Sequence, residues 1–134
     1  MYNQKIMNIF KNPQNVGSLR GANAIGYATD FECGDIVKIF LSIEDNIIKQ
    51  AKFQAFGGAD IIAASSVATK LLKDISIDEA LEFDISSVVA ELGNFPENKK
   101  YCLNVIKDAI SLAIEDYYKR QARAAKKEAE RNGL

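Results

Sequence analysis

The strongest constraint on the fold is an apolar stripe near the carboxyl end of the chain. Its members recur at alternating spacings of three and one, which keeps them on one face of an α-helix: Cys102, Val105, Ile106, Ala109, Ile110, Ala113, Ile114 and Tyr117. A stripe of this length is stable only when another layer of structure covers it. It therefore predicts a long helix, with Cys102 in its first turn, that contributes much of the core.

The second layer is predicted between residues 23 and 56. Asn23–Phe31, Asp35–Ile43 and Ile47–Phe56 alternate apolar and polar residues as strands do, and Glu44-Asp45-Asn46 is predicted to turn between the last two. In the first strand the alternation groups Ile25, Tyr27, Thr29 and Phe31 on one side. Shorter helices are expected at Tyr2–Phe10, at Ile61–Lys73, after a capping box at Ser76–Glu79, and from Asp84 through Leu92. The order predicts an α+β fold, a three-stranded antiparallel sheet covered on one face by helices, with a long C-terminal helix.

The 134 residues are predicted to form a single domain, 1–134, in which residues 119–134 are a basic helical tail. This tail contains six basic and two acidic residues but no aromatic residue, so nucleic-acid binding has little support. The sequence shows neither an apolar run of about 20 residues nor a signal peptide. We therefore expect no membrane association and a cytoplasmic location.

The sequence contains no histidine. This excludes a Ser-His-Asp or Cys-His catalytic centre within one chain, and we do not expect an enzyme. Two cysteines in a cytoplasmic protein favour metal or sulfur chemistry over a structural disulfide.

The candidate chemistry lies in three short segments that could meet at one edge of the sheet. In 33–35, a thiol and a carboxylate two residues apart, Cys33 and Asp35, can converge on one metal ion. The alternative is a buried cysteine beside a turn aspartate. In 57–60, Asp60 is interpreted as a helix N-cap or, alternatively, as an oxygen ligand. In 99–102, Cys102 lies near a helix N-terminus, where the helix dipole favours a thiolate, or simply fills the first position of the stripe.

From about Asn12 to Arg120 the chain resembles the iron–sulfur cluster scaffold family of IscU and the N-terminal domain of NifU. Several linked motifs carry the resemblance: Asn12–Leu19 is similar to NPRNVGSL, Glu32–Asp35 to ACGD, Lys52–Gly57 with Ile62–Ser66 to KFKTYG…IASSS, Ser76–Ala80 to SLDEA, and Cys102–Tyr117 to HCSxLAEDAIxxAIxDY. The resemblance implies a small α+β domain in which three cysteines and an aspartate hold a labile [2Fe-2S] cluster, iron or zinc.

Position by position, the resemblance makes Cys33, Asp35 and Cys102 the cofactor-binding and metal-ligating residues. The chain departs from the family at two site positions, because Gly58 stands in place of the second cysteine and Tyr101 in place of the histidine before the third. The resemblance also implies a cysteine desulfurase and apo iron–sulfur acceptor proteins as partners. An Hsp70-type chaperone is implied at Pro96–Lys99, where the family's LPPVK loop keeps one proline and the lysine.

The departures leave four hypotheses open. The first, which the resemblance favours, is a working scaffold for cluster assembly and transfer, whose four thiolates come from a homodimer or whose missing ligand is Asp60. The second is a zinc or iron site made by Cys33, Asp35, Cys102 and a water molecule. The third is a sulfur acceptor that carries a persulfide on Cys33 or Cys102. The fourth is a degenerate scaffold paralogue that acts only as a protein-interaction module.

Overall fold

A computed structural model describes residues 2–133, and it has the predicted α+β architecture. The elements are α1 (Gln4–Lys11), β1 (Ala24–Asp30), β2 (Asp35–Glu44), β3 (Ile47–Phe56), α2 (Ala59–Leu72), α3 (Ile77–Leu81), α4 (Ile85–Leu92), a 3₁₀-helix (Glu97–Leu103) and α5 (Asn104–Arg131). The three strands form one antiparallel sheet in the order β1-β2-β3. No helix within residues 2–133 is long and apolar enough to cross a membrane.

The central strand β2 confirms the predicted alternation. Val37, Ile39, Leu41 and Ile43 are all at most 5% exposed and belong to the core cluster. The predicted turn after β2 is also present, because Asp45 and Asn46 both have positive φ angles, the backbone conformation of the tightest hairpin turns. Asparagine and aspartate tolerate this left-handed conformation better than other non-glycine residues.

Helix α5 packs against β1 and confirms the predicted stripe, since Val105 through Tyr117 on that face are buried. The contact is very close at Gly26, where a Cβ atom would collide with the backbone of Ala109 and Ala113. The small residues Ala24, Gly26 and Ala28 therefore form the helix-facing side of β1, and the side with Ile25 and Tyr27 faces away. Close approach of a helix, rather than side-chain hydrophobicity, decides which side of β1 faces α5.

Residues 12–19, predicted as a polar surface loop, follow the free edge of β3. The Gly17 N–H donates to the Phe53 carbonyl at 2.7 Å, and the Phe53 N–H donates to the Asn15 carbonyl at 2.8 Å. Residues 74–76 cover the start of the same edge, where the Ile48 N–H donates to the Ile75 carbonyl at 2.9 Å. Both segments protect an edge strand that could otherwise pair with another chain.

The junction before α5 differs from the prediction. Cys102 lies in the 3₁₀-helix Glu97–Leu103, and α5 begins only at Asn104, so Cys102 is not in the first turn of α5. The error has a simple cause, because the three-residue step from Cys102 to Val105 fits a 3₁₀ turn as well as an α turn. The capping predictions were correct at α3 and α4: Ser76 and Glu79 form a reciprocal capping box, and Asp84 caps α4 through the Ser86 N–H.

Candidate metal centre

The three segments singled out in the sequence meet at one cleft of about 360 Å³. Its walls come from the β1–β2 connection, from the start of α2 and from the 3₁₀-helix, and residue 2 closes one side. The lining residues are Tyr2, Glu32, Cys33, Asp35, Gly58, Asp60, Asn98, Lys99, Tyr101 and Cys102. The structure therefore brings Cys33, Asp35, Gly58 and Cys102 together at one end of the sheet, as predicted from the sequence.

The β1–β2 connection holds Cys33 in place through Asp30. One carboxylate oxygen of Asp30 accepts hydrogen bonds from the N–H groups of Glu32, at 3.0 Å, and Cys33, at 3.1 Å. Gly34 has φ +75°, a left-handed conformation that glycine adopts without strain, and its N–H donates to the Asp30 carbonyl at 2.8 Å. The chain then enters β2 at Asp35, which pairs with Asp30 across the sheet. This turn brings the thiol and the carboxylate to the same cleft.

Three potential ligand atoms lie close together in this cleft. The sulfurs of Cys33 and Cys102 and a carboxylate oxygen of Asp35 are all within 4.8 Å of one another. Ligands that share one ion at about 2.0–2.3 Å are necessarily separated by less than about 4.6 Å, so small movements would bring this set onto a single ion. Asp35 and Cys102 are buried, whereas Cys33 is only half-buried.

Cys33 and Cys102, 69 residues apart in sequence, are joined by a disulfide with Cα atoms 6.0 Å apart. The sequence favoured metal or sulfur chemistry over a disulfide, so this pairing was not expected. The two outcomes share one cause, because thiols close enough to bind the same ion are also within bonding distance of each other when oxidised. The oxidised chain has neither thiol free for metal, whereas the reduced chain presents two thiols beside Asp35.

The cleft disfavours the charged form of the Asp35 carboxyl group. Burial is the main reason that its pKa rises from 3.8 to about 6; the negative charges of Asp60 and Asp30 raise it further, and Lys99 opposes them. None of the hydrogen bonds among residues 2–133 ends on this carboxylate. At neutral pH Asp35 is therefore mostly an anion that accepts no hydrogen bond from the described residues, and a cation in the cleft would stabilise it.

Lys99 and Tyr2 form the polar rim of the cleft. The Lys99 ammonium donates to the Tyr2 hydroxyl at 2.9 Å. This bond, together with weaker attraction to Asp60 and Asp35, raises the pKa of Lys99. Sequence reasoning placed Lys99 in a candidate segment but missed Tyr2. Nothing in the sequence distinguishes Tyr2 from an ordinary apolar-face residue of a short helix.

The start of α2 departs from the prediction. Gly58 is the N-cap residue and the helix begins at Ala59, two residues earlier than expected, so the prediction of Asp60 as N-cap is wrong. Gly58 adopts an extended conformation that leads directly into the helix, and no side chain caps this end. Asp60 is the second helical residue, and its Oδ1 accepts a hydrogen bond from the Ile61 N–H at 2.9 Å. Asp60 lines the cleft without belonging to the close group of Cys33, Asp35 and Cys102.

The fold and the cleft define an α+β domain with a cysteine–aspartate site at one end of a three-stranded sheet. The chain belongs to the NifU-like N terminal domain family, whose model matches residues 1–124. This match confirms the family resemblance seen in the sequence.

Two curated relatives are similar over most of the chain. The iron–sulfur cluster assembly scaffold protein IscU 1 of Archaeoglobus fulgidus is 39% identical over 126 residues, which cover 94% of this chain and 82% of the relative. The iron–sulfur cluster assembly scaffold protein IscU of Aquifex aeolicus is 35% identical, over 91% of this chain and 79% of the relative. These relatives place the chain among iron–sulfur cluster assembly scaffold proteins. Both relatives are named as scaffolds and not as enzymes.

A solved structure supports the fold independently. The N-terminal part of a nitrogen-fixing NifU-like protein from Brucella abortus superimposes with a TM-score of 0.68, over 87% of this chain and 94% of that structure. Its sequence identity is only 19%, so the likeness establishes the shared architecture alone.

Proposed function

We propose that this protein is an iron–sulfur cluster assembly scaffold whose reduced form binds iron, as an ion or a [2Fe-2S] cluster, or zinc, through Cys33, Asp35 and Cys102. The observation that carries the proposal is the close approach of these three ligand atoms, all within 4.8 Å of one another, in a member of this family. The bound metal or cluster is cargo, which the protein passes to apo iron–sulfur acceptor proteins.

The chemistry of the ligands suits temporary storage. Thiolates bind iron and zinc strongly, whereas a carboxylate oxygen is a harder donor that exchanges more readily on soft metals. Asp35 also begins with an unfavourable charge in the metal-free cleft, so a bound cation relieves part of that cost. One reduced chain provides two thiolates, half of the four that most clusters use. A homodimer that brings two clefts together would supply all four.

Sulfur chemistry is the second function that the site supports. In the disulfide-bonded structure Cys33 is half-buried, whereas Cys102 is only 8% exposed. Reduction at an unchanged backbone leaves Cys33 the more accessible thiol. We therefore propose Cys33 as the residue that first receives a persulfide from a cysteine desulfurase. Like the metal, this sulfur is received from a partner, so the protein acts as a carrier rather than as an enzyme.

The remaining partners are proposed from exposed surfaces. Between the buried Phe95 and Cys102, residues Glu97, Asn98 and Lys99 are exposed, which leaves the segment equivalent to LPPVK accessible to an Hsp70-type chaperone. We also propose that the protein works in the cytoplasm, where the reducing environment keeps both thiols available for metal.

Anaerobic reconstitution tests the metal-binding proposal. The fully reduced protein is incubated with iron and sulfide, or with zinc, and desalted, and then bound metal, acid-labile sulfide and the absorption spectrum are measured. We expect metal to be retained by the parent and largely lost in Cys33→Ser, Cys102→Ser and Asp35→Ala. Glu32→Gln, which removes an exposed charge from the same cleft, is the matched control and should behave like the parent. A reduced parent that retains neither iron nor zinc would refute the proposal.

A further inference from the structure

Asp60 occupies space that a side chain at position 58 would need. A Cβ atom built on Gly58 would lie 2.9 Å from Asp60 Oδ1, closer than real Cβ atoms approach another atom. The next nearest atom, the Tyr2 hydroxyl oxygen, is 3.9 Å from that position. The carboxylate of Asp60 thus lies beside the point where a side chain of residue 58 would enter the cleft.

The Asp60 carboxylate is also buried without a direct ion pair to the described residues. The residue is 7% exposed, and the hydrogen bonds among residues 2–133 give its side chain one donor, the Ile61 N–H. The ion pairs of the same residues do not include Asp60, and the nearby Lys99 ammonium donates to Tyr2 instead. A carboxylate with one hydrogen-bond donor and no ion pair keeps lone pairs free to bind a cation in the cleft.

Asp60 therefore shares one cleft with a second buried carboxylate, Asp35, and with both cysteines. Two carboxylates and two thiolates facing one cleft would carry four negative charges in the reduced chain. Such a set matches the four donors that a single tetrahedral divalent ion takes, and its excess negative charge favours a cation over the empty cleft.

We propose that Asp60 is the fourth ligand of this site and takes the place of the thiolate that is missing at position 58. This inference rests on the proposed function and makes it more specific. In the oxidised chain Asp60 lines the cleft outside the close group, so this role requires its carboxylate to move toward the ion when the metal binds. The resulting set of two thiolates and two carboxylates suits one Zn²⁺ or Fe²⁺ in a single chain, whereas a [2Fe-2S] cluster, which uses four thiolates in most proteins, would need the thiolates of two chains.

Zinc affinity of the reduced protein, measured anaerobically by competition with a chromophoric chelator, tests this assignment. Asp60→Asn keeps the size of the side chain and an oxygen that can accept the Ile61 N–H bond, but removes the anionic ligand. We expect its zinc dissociation constant to rise by at least about tenfold. Glu32→Gln removes an exposed charge from the same cleft, and should change the constant by less than about twofold because exposed charges are screened.

Substitution of Co²⁺ for zinc gives a readout that a purely structural role would not move. The visible bands of four-coordinate Co²⁺ should shift and weaken in Asp60→Asn while far-UV circular dichroism stays unchanged. Equal zinc affinity and equal cobalt spectra in the parent and Asp60→Asn would overturn the role of Asp60 and leave the Cys33–Asp35–Cys102 site intact. An equal loss of affinity in Glu32→Gln would overturn it as well, because the effect would then be one of general charge. A parent that binds no divalent metal would overturn both the inference and the proposed function.

Discussion

Asp35→Asn should stabilise the metal-free protein, although Asp35 is a proposed ligand. Its pKa in the folded chain is raised from 3.8 to about 6, so the folded state binds a proton more tightly than the unfolded chain does. A carboxyl group whose pKa is raised by folding contributes stability that is fully present below its pKa in the unfolded chain. That contribution is lost as the pH rises through its pKa in the folded chain. Above about pH 6, the ionised Asp35 therefore opposes folding, and asparagine removes that charge at nearly the same volume.

The magnitude follows from the shift. A difference of about two pKa units corresponds to an upper limit of roughly 3 kcal/mol at about pH 8. The cleft is open to water, which screens part of this cost, so we expect a gain of about 1–2 kcal/mol. At about pH 5 most of the native Asp35 is protonated, and the gain should be clearly smaller.

Urea unfolding of the metal-free, oxidised proteins at about pH 5 and pH 8 measures this effect through the midpoint and slope. Glu32→Gln is the control for loss of an exposed negative charge in the same cleft. The reasoning is refuted if Asp35→Asn is destabilising at both pH values or if its effect does not grow with pH. With zinc bound to the reduced proteins the order should reverse, because the variant loses a ligand of the bound state.

Three further predictions follow from the same structure. Gly58→Cys should raise zinc or cluster occupancy after anaerobic reconstitution, and more so when combined with Asp60→Ala, which removes the side chain closest to the new Cβ. Gly58→Ser should give no gain, and an equal result for cysteine and serine would contradict the idea of a site short of one thiolate. Ile110→Ala should lower the free energy of unfolding by about 2–5 kcal/mol, because Ile110 is completely buried, and an unchanged unfolding midpoint would show that α5 does not form the core. Thiol titration with a chromogenic disulfide should detect no thiol in the oxidised protein and two after reduction. Metal should be retained only after reduction, and retention by the oxidised protein would exclude the cysteines as ligands.

The sequence predicted the regular elements well where one physical pattern dominated. The alternation of β2, the hairpin turn at Asp45-Asn46 and the stripe of α5 each follow from a single periodicity or conformational preference. It was less informative at β1, where alternation separates two faces but does not identify the face that α5 covers. That choice depends on the close packing at Gly26, a property of the folded structure.

The site could be predicted from the sequence only in part. The family motifs brought Cys33, Asp35 and Cys102 together, although 69 residues separate the two cysteines and no local pattern connects them. The disulfide was missed because the spacing of two cysteines in a sequence does not determine their redox state. The position of Asp60 was mistaken because a glycine in extended conformation started α2 earlier than the apolar pattern suggests.

X-ray absorption at the zinc edge of the reduced, zinc-loaded protein tests the central claim most directly. The account predicts two sulfur neighbours at about 2.3 Å, from Cys33 and Cys102, and oxygen neighbours at about 2.0–2.2 Å, with Asp35 among them. Loss of one sulfur neighbour in Cys33→Ser and in Cys102→Ser would assign the ligands individually. A spectrum with oxygen neighbours alone would contradict the claim that these cysteines and Asp35 form one metal centre.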